Sequence, residues 1–191
     1  MGIFSMVFLA LLAAALLYVI VAYNYLVNLK HNVSKAWANI DVLLKQRHDE
    51  IPKVVETCKQ YMKFEQSTLE KVMQARAQVS SARESRDISA LGRAEGALRA
   101  GLGSLFAVAE AYPELKSNEQ FLHLHARISN LENAIADRRE FYNESVNINN
   151  VRVEQFPDNI VAGVFSFKAA RLLEFASVEK VDVDVRALFT A

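Results

Sequence analysis

Apolar residues run without a single charge from Ile3 to Ala22, and beyond that point they thin to three- and four-residue steps. The first pattern predicts a membrane span. At about 1.5 Å per helical residue, such a run crosses a hydrocarbon core of about 30 Å. Ile3, Val7, Leu11, Leu16 and Ile20 are its membrane-spanning positions. A cleaved signal peptide is the competing reading. The leading "MG" carries no Lys or Arg, however, and the run outlasts a usual signal core. Tyr18, Tyr23 and Tyr25 suit an interfacial aromatic belt. The second pattern, Val33, Ala36, Ile40, Leu44 and Ile51, marks one face of a helix. No Pro or Gly interrupts residues 3–51, so the span is expected to continue into a helical domain as one rod.

Pro52 cannot continue a helix without losing a hydrogen bond, so a corner is expected at Asp49–Pro52, with Asp49 as N-cap. A second helix then runs from about Glu50 to Arg83 on Ile51, Val55, Cys58, Met62, Leu69, Val72 and Val79. "ESRDIS" breaks that pattern, and Asp87 or Ser89 caps a third helix carrying Leu91, Ala94, Leu98, Leu105 and Ala109. Gly96 is placed to allow a close helix approach. Pro113 stops this helix, and "SNEQ" matches a capping box with Ser117 capping and Gln120 reaching back. The fourth helix follows Phe121, Leu124, Ile128, Leu131, Ile135, Tyr142 and Val146. "FPDNIVAGVFSFKAARLLEFA" then begins with a Pro turn and is strongly apolar, and the last residues alternate valine with charge like a strand.

The expected fold is all-α: a transmembrane helix continuing into an antiparallel four-helix bundle of long helices, with a short apolar C-terminal helix and an extended tail. The expected divisions are a transmembrane anchor (1–22), a helical bundle (23–155), an apolar segment (156–175) and the tail (176–191). The apolar segment has three possible roles: closing the bundle's open end, lying on the bilayer beside Lys168 and Arg171, or docking onto a neighbour.

Charge and composition narrow the class. The 22 basic and 22 acidic side chains cancel, which argues against a nucleic-acid partner. Lys30, Lys35 and Lys45 follow the span and only the α-amine precedes it, so the N-terminus is expected outside and the domain in the cytoplasm. The lone Cys58 rules out an intramolecular disulfide and a cysteine zinc site, and its apolar spacing predicts a buried, inert thiol.

The stretches "AWANIDVLLKQRHDEIP", "VETCKQYMKFEQSTLEKVMQAR", "EAYPELKSNEQF", "LENAIADRREFYNESV" and "FPDNIVAGVFSF" resemble the LemA family of bacterial single-span membrane proteins. The resemblance covers roughly residues 23–167. It implies an N-terminal anchor in the bacterial cell (inner) membrane and a long-helix bundle with no assigned enzymatic activity. One relative acts in magnetosome membrane formation, which makes membrane organisation an analogy. The chain departs from the family pattern at Gln46, Phe64 and Asn149, where Arg, His and Tyr are common.

No catalytic, cofactor-binding or metal-ligating constellation is visible. His123 and His125 are two apart on a helix and face apart. No Glu-x-x-His pair, phosphate loop or nucleophile elbow occurs. Structural or interface roles are assigned instead to Trp37, Asp41, Arg47, Pro52, Tyr112, Pro113, Tyr142, Phe165, Phe167 and Phe175. Asp41 is spaced to pair with Lys45, and Arg47 to reach Glu50 or a neighbouring helix. The expected protein is a non-enzymatic scaffold that self-associates on the lipid bilayer and organises it. The alternative is a membrane-tethered adaptor that holds a client, a protease or signalling protein, through its C-terminal segment.

Overall fold

The computed structural model describes residues 2–175, and the valine-rich tail read as extended lies outside them. The described residues form six helices and no strand: α1 (Ile3–Tyr61), α2 (Gln66–Glu84), α3 (Ile88–Ala109), α4 (Pro113–Lys116), α5 (Glu119–Glu154) and α6 (Asp158–Val164). The described residues fall into two compact units, one of residues 2–42 and 135–172 and one of residues 43–134 and 173–175. Both α1 and α5 contribute residues to each unit.

In the first unit, every α1 side chain from Ile3 to Val21 is exposed, and burial begins at Ala22. Leu26, Leu29, Ala36 and Ile40 continue the buried line at three-, four- and seven-residue steps. The exposed part is long and apolar enough to cross a membrane. Residues 167–172 are irregular, and three side chains of α5 satisfy their backbone. Asn150 both accepts from Ala170 N (2.8 Å) and donates to Ala170 O (2.9 Å). Tyr142 donates to Arg171 O at 2.9 Å, and Asn149 to Lys168 O at 3.4 Å. An irregular segment without a sheet or helix ladder needs such partners.

In the second unit, α2 and α3 form a helical hairpin. The expected seam from Ile51 to Val79 is buried, Cys58 and its thiol with it. Asp87 caps α3 as expected, accepting from Ala90 N at 3.0 Å. The turn before it places Arg86 in the left-handed region at φ 53°, and Asp87 N and Arg86 N close the end of α2 on Ala82 O and Arg83 O.

Two local expectations are corrected. The first corner does not fall at Asp49–Pro52: α1 continues through Pro52 to Tyr61, and the chain turns at residues 62–65. The cost of a mid-helix proline is an unpartnered carbonyl four residues back. That carbonyl belongs to His48, and Arg76 Nε of α2 donates to it at 2.9 Å. Second, Asn118 rather than Ser117 caps α5, accepting from Phe121 N at 3.0 Å while its amide donates to the Tyr61 hydroxyl at 3.1 Å. The Ser117 hydroxyl turns back to Glu114 O. Gly92 permits a close backbone approach: a Cβ there would overlap the Glu174 carbonyl oxygen.

Arg76→Met removes the partner of His48 O and is expected to cost about 1–3 kcal/mol. In a Pro52→Ala background the same change costs less, because the amide restored at position 52 takes over the carbonyl. Denaturation of the four variants in detergent, followed by helical circular dichroism, measures the coupling. Additive losses would show that Arg76 does not substitute for the missing helix bond.

Candidate functional site

Two clusters of buried charge stand out, one in each unit. In the second unit, α1 presents Arg47 to the core on the same line as Leu44 and Ile51. Its side chain is 1% exposed. One guanidinium nitrogen donates to Glu95 of α3 and the other to Glu132 of α5, both at 2.5 Å. Arg99 adds a second cation to Glu132 at 3.4 Å, and its guanidinium lies over the Phe175 ring at 5.9 Å. Nearby Glu50 accepts from Lys53 and pairs with Arg127, each at 3.1 Å. Arg47 thus takes the route to neighbouring helices, and Glu50 has other cations.

Burial opposes the Arg47 charge, but Glu95 and Glu132 outweigh it and raise its pKa further. Burial pushes the Glu95 carboxyl above its ordinary value, against the pull of Arg47. Burial likewise pushes the Cys58 thiol up to about 11, so it stays protonated at neutral pH. The arrangement is an ion network that fixes three helices against one another. Among the described residues, no three His, Cys, Asp or Glu side chains gather as metal ligands.

In the first unit, α6 is held against the part of α1 where burial begins. Val161 and Ala162 pack on Ala22 and Leu26, joined by Val153 and Phe167. Asp158 is buried, accepts from the Tyr18 hydroxyl at 2.6 Å and pairs with Arg152 of α5. The Arg152 guanidinium also lies over the Tyr25 ring at 4.9 Å. Tyr23 meets Phe165 and Phe167 edge-on at 4.8 and 5.7 Å. Ser166, in the left-handed region at φ 59°, closes α6: its N–H reaches Gly163 O and that of Phe167 reaches Ala162 O.

The residues singled out from sequence separate accordingly. Ile3, Val7, Leu11, Leu16 and Ile20 are exposed on α1. Trp37 meets Tyr142 edge-on at 5.9 Å, which places both in the first unit with Phe165 and Phe167. Asp41 is half-buried on α1. Arg47, Pro52 and Phe175 belong to the second unit, as do Tyr112 and Pro113, which open α4 as N-cap and first residue. The sequence reading missed Glu95, Glu132, Asp158 and Arg152. Glu95 carries a usable signal, since it lies among Leu91, Ala94 and Leu98 on an otherwise apolar helix face.

Comparison with known proteins gives a consistent placement. The family model described as the LemA family matches residues 36–186. Protein LemA of Metamycoplasma hominis is 26% identical over 170 residues, which cover 86% of this chain and 74% of that protein. Magnetosome protein MamQ 2 of Paramagnetospirillum magneticum is 33% identical over 81 residues, 42% of this chain. Magnetosome protein MamQ of Magnetospirillum gryphiswaldense is 32% identical over 75 residues, 39% of this chain. These matches span only 30% and 28% of the two magnetosome proteins.

Arg47→Met leaves Glu95 buried without its cation and is expected to cost about 3–5 kcal/mol at neutral pH. A carboxyl raised in the folded state contributes stability below its unfolded pKa of about 4.3 and loses it as pH rises through the folded pKa. The deficit of Arg47→Met therefore grows between about pH 4.3 and 7, and adding Glu95→Gln removes that growth. Denaturant titrations at both ends of the range check this; a deficit independent of pH would assign the loss to packing alone.

Proposed function

The chain belongs to the LemA family, and on that footing we propose that it is a non-enzymatic, membrane-anchored helical scaffold that self-associates and organises the bacterial cell membrane. The observation that carries this reading is the single helix α1. Its exposed apolar run, Ile3–Val21, passes without a break into residues that pack in a core. Residues 3–22 are the span of an inner-membrane protein. Lys30, Lys35 and Lys45 favour a cytoplasmic domain and an external N-terminus. The long helices α1, α2, α3 and α5 are assigned to an antiparallel four-helix bundle, the arrangement that short connections between long helices favour. The anchor and bundle need no cofactor for this role. The magnetosome names of two relatives supply an analogy for membrane organisation.

A second reading, a membrane-tethered adaptor, draws on an open groove of about 680 Å³ whose exposed lining is Lys59, Lys63, Gln66 and Glu70, with Met73 half-buried, over the buried Val55, Met62 and Leu69. Phe64, in the adjoining turn, is 94% exposed.

Particle size of the full-length chain in mild detergent and in lipid discs separates these readings. The scaffold is expected as a uniform multimer in both. A single chain in both, with no crosslinks in cells, would remove self-association and leave the adaptor. A membrane-impermeant label added to spheroplasts is expected to reach an N-terminal tag and not the helical domain; the reverse pattern would invert the topology.

A further inference from the structure

The α6 helix has two unlike faces. Asp158, Val161 and Ala162 point inward, at steps of three and four residues. On the other face, Ile160 is 59% exposed and Val164 73% exposed, one turn apart. Phe156, just before the helix, and Phe165, just after it, extend the exposed apolar surface. No charged residue occurs from Asn159 to Phe167. Such a patch in water is unfavourable, and it marks a surface that something covers.

Its position along α1 identifies the cover. Tyr18 bonds Asp158, Ala22 and Leu26 pack on Val161 and Ala162, and Tyr23 meets Phe165 and Phe167. The α6 helix therefore lies beside residues 18–26 of α1, where the uncharged run ends. If residues 3–22 span the bilayer, this is the level of its surface. The polar groups are arranged accordingly. Asp158 and Arg152 neutralise each other on the inner side, with Tyr18 and Tyr25 as further partners. The nearest exposed charges in sequence, Glu154 and Lys168, flank the patch rather than interrupt it. A charge pair at this level is tolerated because each ion has its partner and the carboxylate of Asp158 is buried.

We propose that the outer face of α6, with Phe156, Ile160, Val164 and Phe165, is seated in the interfacial layer of the bilayer that α1 crosses. This rests on the reading of α1 as a membrane span. The occupant is lipid, because the patch is continuous with the apolar surface of the span. Interfacial helices bury such faces about 5–10 Å into the headgroup and acyl boundary. The buried Asp158, with its partners Arg152 and Tyr18, then acts as a clamp that sets the depth of α6 against α1. The protein grips one leaflet with α6 as well as crossing the bilayer with α1, a wedge on one side of the membrane.

Nitroxide accessibility in the full-length chain tests this. Cys58 is the only cysteine and is buried, so Cys58→Ser gives a background for single labels. Labels are placed through Ile160→Cys and Val164→Cys, with Leu12→Cys as a span control and Glu140→Cys as an exposed control on α5. In lipid vesicles, the ratio of oxygen to nickel-chelate collisions is expected to be several-fold higher at positions 160 and 164 than at 140, and to approach that at 12. Water-like ratios at 160 and 164 with a lipid-like ratio at 12 would overturn the proposal and leave the span standing. Protection from both reagents at 160 and 164 would show a protein cover and overturn it as well. A water-like ratio at 12 would remove the span, and the proposal with it.

Discussion

Every backbone polar group in a long helix must find a partner, and α1 meets that demand for 59 residues with a proline inside it. Most of the chain's organisation depends on this continuity. A break at Pro52 would separate the buried positions Ile40, Leu44 and Arg47 from Val55, Cys58 and Met62. Arg76 prevents the loss by donating to the carbonyl that the proline ring orphans. The same requirement explains Asn118 at the start of α5 and the Asn150–Ala170 pair beside α5. In each case a side chain supplies the hydrogen bond that regular structure cannot.

Charge is handled by the same logic at a higher cost. A buried guanidinium without carboxylates would cost several kcal/mol, whereas a satisfied network costs little and fixes geometry. Arg47 binds two carboxylates from two other helices through its two terminal nitrogens, which ties the rotation of α1 to those of α3 and α5. Aliphatic packing alone tolerates small slips between helices. The ion network is the part of the second unit that does not.

The helices were legible from periodicity because their seams are regular. Leu98, Leu105, Ile128 and Ile135 are buried where three- and four-residue spacing placed them. Legibility failed where the deciding partner is distant in sequence. Pro52 reads as a corner until Arg76 is seen 24 positions on, beside the residue that needs it. Arg47 was noticed, but Glu95 and Glu132 are surface-like residue types whose burial follows only from helix pairing. Ser117 and Asn118 are both good caps, and the choice is made by the Tyr61 hydroxyl, which engages only Asn118. The close approach at Gly92 arises because the 173–175 segment passes there, which no local pattern specifies.

The α6 segment shows why an apolar stretch is ambiguous until its neighbours are known. Read alone, Ile160–Phe175 fits core, membrane surface or interface, with closure of the bundle as the default. The structure divides it. Val161, Ala162 and Leu173 are core, while Ile160, Val164 and Phe165 are not. Between these classes lies a residue of the opposite kind, the buried carboxylate Asp158. An apolar helix that merely closed a core would not need a charge on its inner face. Asp158 is instead tied to Tyr18 on α1 and Arg152 on α5, which fixes α6 to both helices by directional bonds. Directional fixing matters most for an element whose other face has no partner among the described residues, because packing there acts from one side only. The polar clamp and the exposed apolar face are therefore complementary halves of one device.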